Sequence, residues 1–521
     1  MILSISTPVS IFRSQSVSRL QRAWRQLSTR ARLAPLCAVA ILLGACSSDG
    51  GSDSGTPNPS VEGPIAGTPS LLGSTTFKLA DVGYEQSEYF ISGVARSYTN
   101  TTGQTEDGKW SLAVADKAAY KTRILVYRPI DATAFNGTVV VEWLNVSSGT
   151  ESSSEWIMAH TELIRKGYAW VGVSAQKAGI DGGGANLAGM ELYLKALDPE
   201  RYGSLLHPGD KYSFDIFSQA AQAVLHPRDV DPLSGLQVER AIASGESQSA
   251  DFMVTYIDAI APVAKLFDGY FVHSRGHGTV GLSPPDLTAA GIDFASRSTV
   301  FLRDDLQVPV MMVQTETDMF LLDYYPDRQE DTAFLRTWEI AGAAHADLYT
   351  SKTGQTDEGN DPSVAAVEEV SSPYPGFIDC RKPVNTGPHH FVINAAMAAL
   401  DNWLRSGVAP PHADRLEIAG DPPAFVYDSV GNVKGGVRTP YVDVPVAKLS
   451  GEGQSGNILC SLFGTTQLLD QTQLMGLYPD HATFVSATDT AVDGAVSAGF
   501  LLQPDGALIK SWAAGSEFGT Y

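Results

Sequence analysis

The sequence predicts an α/β protein whose central sheet is mostly parallel, with helices on both faces and with insertions forming a cap or lid. Three observations carry that reading. Several apolar runs are near-continuous, as expected of strands buried on both faces. They alternate with amphipathic helical patterns, the order that produces parallel pairs. The series is entered through two segments of period-two spacing, which read as antiparallel strands.

The elements follow in order. Residues 88–95 and 120–127 alternate apolar and polar positions with β-branched and aromatic residues among them, the pattern of half-buried strands. Residues 138–144, Thr-Val-Val-Val-Glu-Trp-Leu, form the first buried strand. Trp156, Ile157, Leu163 and Ile164 then trace a helical face that stops at Gly167, and residues 168–173 are a second buried strand. A helix over 212–224, a strand over 238–244 and a helix over 249–261 come next. Further strands are expected at 269–272, 308–315 and 334–340. Residues 391–405 make an amphipathic helix closed by Gly407 and Pro410-Pro411. Residues 412–521 mix strand-like and helical pieces that either complete the same domain or cap it. No period of 20–50 residues recurs, which excludes a solenoid or propeller.

The front of the chain differs from the rest. Residues 1–45 hold six arginines (Arg13, Arg19, Arg22, Arg25, Arg30, Arg32) and no acid, followed by the apolar run 33–43. A basic region, a short apolar region and small residues before a cut make a signal peptide. Eleven apolar residues are too few to span a bilayer, which takes about 20. Leu43-Gly44-Ala45-Cys46 resembles a bacterial lipobox, which implies cleavage before Cys46 and lipidation of its thiol; an ordinary signal with an incidental cysteine is the alternative. Residues 46–70 begin with Gly, Ser and Pro in the proportions of a flexible linker, leaving 71–521 as a single domain with insertions. The expected location is therefore the bacterial cell envelope, with the protein exported and lipid-anchored to a membrane.

Composition is globular, at 43% hydrophobic and 18% charged over 521 residues. Loss of the six leader arginines takes the formal charge from −22 to −28, which argues against nucleic acid and anionic substrates because long-range steering repels both. Of four cysteines, Cys37 leaves with the leader and Cys46 is the lipid site. Cys380 and Cys460 remain, and in an oxidising compartment the pair reads as one disulfide, with two buried free thiols as the alternative. No Cys/His spacing suggests a metal, and no cofactor is implied.

The strand 238–244 runs directly into Gly245-Glu246-Ser247-Gln248-Ser249-Ala250 and then a helix whose Ala250, Met253, Val254 and Ile257 share one face. That is the strand–turn–helix setting of the G-x-S-x-G nucleophile elbow of the α/β-hydrolase fold. The turn needs a nearly side-chain-free residue two before the serine, and Gly245 meets this. Ser249 replaces the second glycine and is small enough to fit. An elbow lifts the Ser247 oxygen off the sheet and aims the Gln248 backbone N–H, at a helix N-terminus, at a developing oxyanion. The bland alternative is a serine that merely caps the helix.

A serine hydroxyl needs an imidazole to take its proton, and in this fold the order is Ser, then acid, then His. His273, His277, His345, His389, His390, His412 and His481 follow Ser247. His345 fits best, in the small-residue loop Gly342-Ala343-Ala344-His345-Ala346-Asp347 after the last strand. His273 and His277 precede the acid, and His389 and His390 precede a helix and read as capping or packing residues. The acid follows strand 308–315, where Asp318 is the first choice and Glu316 the second. A second oxyanion donor is expected from the backbone of Asn145 or Val146, in the loop after strand 138–144.

These residues resemble the bacterial alpha/beta hydrolase domain family of large exported esterase-like chains. The resemblance rests on residues 135–147 (Phe-Asn-Gly-Thr-Val-Val-Val-Glu-Trp-Leu-Asn-Val-Ser) and on Gly172-Val173-Ser174-Ala175-Gln176. It continues through 198–203 (Asp-Pro-Glu-Arg-Tyr-Gly), 207–215 (His-Pro-Gly-Asp-Lys-Tyr-Ser-Phe-Asp), the 245–250 elbow, 341–347 and 435–441 (Gly-Gly-Val-Arg-Thr-Pro-Tyr). It implies that Ser249 belongs to the family's form of the elbow and that the tail is part of the same domain.

The sequence thus predicts hydrolysis of carboxylic esters, small or polymeric, through an acyl-enzyme on Ser247. An amidase with the same residues and a catalytically inactive ligand-binding lipoprotein are the competing readings. Gly276-His277-Gly278-Thr279-Val280-Gly281 matches a dinucleotide-binding pattern, but Ser283-Pro284-Pro285 follows where a helix is required. Gly182-Gly183-Gly184 lacks the Lys of a phosphate loop and marks a place where a lid could sit. Asn100, Asn136 and Asn145 are formal sequons without meaning in a bacterial lipoprotein.

Overall fold

Among the described residues nine strands make the central sheet, in the order β1-β2-β3-β5-β4-β6-β7-β8-β9. They are β1 (Ser60–Glu62), β2 (Tyr84–Asn100), β3 (Leu112–Pro129), β4 (Thr138–Trp143), β5 (Ala169–Val173), β6 (Arg240–Glu246), β7 (Gly269–His273), β8 (Val310–Thr315) and β9 (Leu335–Ile340). The structure, a computed structural model, describes residues 55–184, 190–288, 296–376, 378–454 and 458–520. The expected signal peptide and Cys46 lie outside the described residues.

The sheet divides as the residue patterns predict. β1, β2 and β3 pair antiparallel, and β3 joins β5 antiparallel; from β5 to β9 every pairing is parallel. The two alternating segments are longer than their patterns, because β2 and β3 continue as a 17- and 18-residue hairpin, with a register shift at Ser97/Tyr98. β1 lies inside the stretch expected to be linker. Val61 packs on the core and pairs with Ile91, so the folded body starts about ten residues earlier than composition suggests.

All residues of β4, β5, β7, β8 and β9 are buried, which is why they read as apolar runs. Glu142, in the middle of one such run, has a structural answer. Its carboxylate accepts from the N–H groups of Glu155 (3.0 Å) and Trp156 (3.1 Å), at the start of α1 (Ser154–Arg165), and from Trp170 Nε1 (2.8 Å). It therefore supplies the acceptors that the first turn of α1 needs, a role a cap residue would otherwise fill.

Helices α1 and α5 (His389–Ser406) pack on one face, with Trp156, Leu163, Met397 and Leu400 in the core; α2 (Ser213–Leu225) and α3 (Gln248–Thr255) pack on the other, with Phe217, Met253 and Val254. α3 is shorter than its pattern. A π-helical turn, Tyr256–Ile260, follows it, and the chain resumes at Ala261–Ala264. Buried Asp258 within that turn accepts from Arg303 N (3.0 Å), and Pro262 cannot donate to continue the helical ladder.

The motif at 207–215 pins this frame. Asp210 accepts from Lys177 N (2.8 Å), while Asp215 accepts from Arg96 N (2.8 Å), Tyr98 Oη (2.5 Å) and Gln219 Nε2 (2.8 Å), tying α2 to the long hairpin. The 198–203 motif does the same for Glu88, which meets Tyr202 Oη at 3.0 Å, Arg123 and Arg201. Where the sequence leaves room for a lid, the described residues carry Lys177–Asp181, Leu194–Leu197 and Pro199–Tyr202, which bury Ile180, Leu194 and Tyr202 against Phe90.

The tail belongs to the same body. Val437 bridges to Ile340 beside β9, and Gly435 and Gly436, both at positive φ, press their Cα atoms onto the backbone of Arg415 and Glu339. α6 (His481–Ala498) and α7 (Gln503–Gly515) build a smaller core of Phe484, Val492 and Ile509 with Tyr441 and Leu449. Cys380 and Cys460 form a disulfide, in a cluster with Leu348, Ile378, Val384 and Phe463.

Candidate active site

From β4 the chain moves outward to β5, and β6 then returns on the other side of β4. The order reverses there, and the C-terminal ends of strands at such a switch point, here β4 and β6, are the usual ligand position in an open α/β sheet. Those ends carry Asn145 and Ser247.

Ser247 sits between β6 and α3 at φ 57° and ψ −124°, a conformation that a side chain adopts only under constraint. Its N–H donates to His273 O (2.9 Å), and its own carbonyl accepts from Ala250 N (2.9 Å). The turn is tight because a Cβ on Gly245 would stand 2.6 Å from Ser249 O and 2.9 Å from Ser249 C. Glycine at 245 is thus required by backbone contact.

The structure brings Ser247, His345 and Asp318 into one line of hydrogen bonds. His345 Nε2 is 2.9 Å from Ser247 Oγ, and its Nδ1 is 2.8 Å from Asp318 Oδ1. With Nδ1 protonated, the ring donates to Asp318 and leaves Nε2 to accept the Ser247 hydroxyl. The backbone N–H of His345 donates to Thr317 Oγ1 (3.0 Å), which donates in turn to Gly451 O (2.6 Å). Burial disfavours the imidazolium, but the hydrogen bond and charge of Asp318, with the charge of Glu246, outweigh it and lift His345 above its ordinary value.

The strand does not continue past Thr315, and the two carboxylates are separated by a helical turn. Glu316–Phe320 is a short helix, α4, in which Asp318 is the third residue of a capping box: its Oδ2 accepts from Thr315 N (2.6 Å) while Oδ1 faces the ring. Glu316 turns the other way and accepts from Gly342 N (2.6 Å) and Gly451 N (2.7 Å), anchoring the start of the His345 loop. Burial pushes its carboxyl up to about 8.

Of the expected N–H donors, Gln248 and Val146 have no hydrogen-bond partner for that group among the described residues. Asn145 is a correction. Its backbone N–H donates to Ser152 O (3.0 Å), so it is not available to a ligand. Its side chain instead donates from Nδ2 to Glu246 O (3.0 Å) and Glu246 Oε2 (3.1 Å), binding the loop to the elbow.

The other histidines are accounted for elsewhere. His277 meets Asp327 (2.5 Å), His412 meets Asp331 (2.8 Å), and His481 Nδ1 meets Phe518 O (2.7 Å). His389 and His390 do not precede α5 but begin it, both buried; His390 stacks on Tyr349 at 3.5 Å. His389 Nε2 meets His273 Nε2 (2.7 Å), and His273 Nδ1 meets Glu155 Oε1 (2.9 Å). Burial, then the charge of His273, holds His389 well below its ordinary value, so it stays neutral.

Sequence reasoning missed Glu246. Its Oε1 lies 3.2 Å from His345 Nε2, on the nitrogen that faces Ser247, and burial pushes its carboxyl up. Adjacency to Ser247 in a tight turn was the available signal. Among the described residues no group of three or more His, Cys, Asp or Glu could hold a metal ion, and no helix is long and apolar enough to cross a membrane.

The chain belongs to the alpha/beta hydrolase domain family, whose model matches residues 61–511. No curated protein matches it. Similar solved structures include a fungal esterase from Rhizomucor miehei, 11% identical, with 61% of this chain and 86% of that one covered and a TM-score of 0.28. A glucuronoyl esterase from Solibacter usitatus is 10% identical, covering 54% and 81% at a TM-score of 0.27. Acetyl xylan esterase 1 from Thermoanaerobacterium sp. is 11% identical, with the same coverages and TM-score.

Proposed function

We propose that this protein is a serine hydrolase of carboxylic esters that works through an acyl-enzyme on Ser247. The observation that carries the reading is the line from Ser247 Oγ through both nitrogens of His345 to Asp318, at 2.9 and 2.8 Å. In the first half-reaction Ser247 Oγ attacks the acyl carbon as its proton passes to His345 Nε2. Asp318 fixes the tautomer and supports the imidazolium without taking the proton. The N–H groups of Gln248 and Val146 receive the oxyanion. The imidazolium then protonates the departing alcohol, and water releases the acyl group by the same route.

A fluorophosphonate probe and a short p-nitrophenyl ester test this. The expected result is stoichiometric labelling and turnover, both abolished by Ser247→Ala. Labelling that survives this substitution refutes Ser247 as the nucleophile, and its absence in the native chain favours a hydrolase fold that only binds. Export and a lipid on Cys46 are part of the same proposal: Cys46→Ser is expected to abolish incorporation of labelled palmitate and release the protein from membranes.

A further inference from the structure

We propose that Glu246 is a further catalytic residue, acting in the second half-reaction: with His345 Nε2, its Oε1 holds the water that hydrolyses the acyl group from Ser247. The inference rests on the ester-hydrolase reading and deepens it.

The geometry around Nε2 is the starting point. Two oxygens approach that nitrogen, Ser247 Oγ at 2.9 Å and Glu246 Oε1 at 3.2 Å. Only the first is aligned as a hydrogen bond; the second lies beside it. Before acylation the serine hydroxyl fills the lone pair of Nε2, and Glu246 is a bystander to that bond. After acylation Oγ is an ester oxygen with no proton to give, so Nε2 must find its next proton on water.

A water donating one hydrogen to Nε2 has a second hydrogen to place. A carboxylate oxygen 3.2 Å from the same nitrogen is within reach as its acceptor. Two acceptors fix the direction of the remaining lone pairs, a bimolecular attack becomes an oriented one, and a charged acceptor makes the stronger hydrogen bond.

The carboxylate is also held for this position. Its Oε2 accepts from Asn145 Nδ2 at 3.1 Å, and the same amide donates to Glu246 O at 3.0 Å. Asn145 is itself fixed, because its backbone exchanges hydrogen bonds with Ser152 at 3.0 and 2.9 Å and its Oδ1 accepts from Ser147 N at 2.8 Å. The other polar groups of Asn145 thus fix Asn145 itself, and its Nδ2 holds the residue before the nucleophile. Supporting the elbow would need only the bond to Glu246 O; the second bond, to Oε2, orients the side chain toward His345.

The step balances without another reactant. The water oxygen bonds to the acyl carbon as one of its protons moves to His345 Nε2; its other proton remains hydrogen-bonded to Glu246, which neither gains nor loses charge. The tetrahedral oxyanion collapses, the bond to Ser247 Oγ breaks, and the proton on Nε2 passes to that oxygen. A carboxylic acid leaves, and the enzyme is restored.

The test separates the two half-reactions in native enzyme, Glu246→Gln and Glu246→Asp. Fluorophosphonate labelling reads attack by Ser247 alone; stopped-flow hydrolysis of p-nitrophenyl acetate reads both steps. In both variants labelling is expected to stay within about threefold of native, while steady-state turnover falls about ten- to a hundredfold. A burst of one p-nitrophenolate per labelled serine accompanies that fall as acetyl-enzyme accumulates. Labelling and turnover that fall together, or turnover that does not change, overturns the proposal. Failure of the native chain to label would instead overturn the ester-hydrolase reading, so the two failures are distinct.

Discussion

Replacing Asp318 by Asn and, separately, Glu316 by Gln decides which carboxylate serves His345, and the hydrogen bonds fix the expected sizes. Thr315 N donates to Asp318 Oδ2 at 2.6 Å, so an Asn must place its oxygen there and turn its amide NH₂ toward His345 Nδ1, where Oδ1 now stands at 2.8 Å. A donor facing Nδ1 selects the tautomer with hydrogen on Nε2, and that ring cannot accept the Ser247 proton. The expected loss in kcat is about 10⁴-fold, or ~5.5 kcal/mol of barrier, with thermal stability little changed because the Thr315 bond survives. Glu316→Gln does the reverse. Both its oxygens accept from backbone N–H groups, Gly342 at 2.6 Å and Gly451 at 2.7 Å, so either amide orientation opposes two donors. That costs about 1–3 kcal/mol of stability and leaves the imidazole tautomer intact. kcat on p-nitrophenyl acetate and thermal melts are the assays. A folded Glu316→Gln that loses three orders of magnitude in kcat while Asp318→Asn stays active would refute the reasoning.

Other outcomes follow from single contacts. Gly245→Ala puts a methyl 2.6 Å from Ser249 O, against backbone that cannot yield cheaply, so fluorophosphonate labelling is expected to fall at least tenfold even where circular dichroism shows a folded chain. His345 must be neutral to act and its value is raised, so the acid limb of the labelling rate is expected above pH 6.5, moving downward in Asp318→Asn. Glu316 holds its proton more tightly folded (about 8) than at its ordinary 4.5; its contribution is complete below 4.5 and is lost as the pH rises to about 8, on the order of a few kcal/mol. The melting temperature of native protein relative to Glu316→Gln should therefore drop across that window, and a flat difference would contradict the burial argument. Removing the disulfide with Cys380→Ser and Cys460→Ser is expected to cost about 4–5 kcal/mol for a sequence separation of 80, read by denaturant unfolding. It should also lower kcat, since Ala346 N donates to Leu462 O (3.1 Å) and Leu348 N to Asn385 O (2.9 Å), joining the His345 loop to both bridged segments.

Legibility in the sequence followed the range of the interaction. The buried strands could be read because β4, β5, β7, β8 and β9 are covered on both faces and need apolar side chains at every position. Ser247 could be read because its constraint is local: a Cβ at 245 meets residues four and five positions ahead. The start of the fold could not, since β1 is placed by its pairing with residues 90–92 and its own composition is that of a linker. The break after α3 was hidden for a related reason, because Asp258 Oδ1 within it accepts from Arg303 N, 45 positions away.

The same distinction bears on the acid and explains which amide was misjudged. Asp318 and Glu316 are two positions apart, and both face backbone or ring groups brought in from residues 315, 342, 345 and 451. Strand alternation cannot rank residues two apart, which share a face, and the capping box that Asp318 closes ends the strand at Thr315. Asn145 was misread as a backbone donor because a loop after β4 is where such donors sit, whereas its side chain is committed to Glu246, 101 positions later. The motifs that carried the family resemblance divide accordingly. Those at 198–203, 207–215 and 435–441 hold the hairpin, α2 and the tail in place, while 245–250 and 341–347 bring the reactive side chains together with 316–318. A motif match alone therefore cannot rank residues by chemistry in this chain; the hydrogen bonds at His345 Nε2 and Nδ1 can, and they single out Ser247 and Asp318, with Glu246 Oε1 3.2 Å from Nε2 beside them.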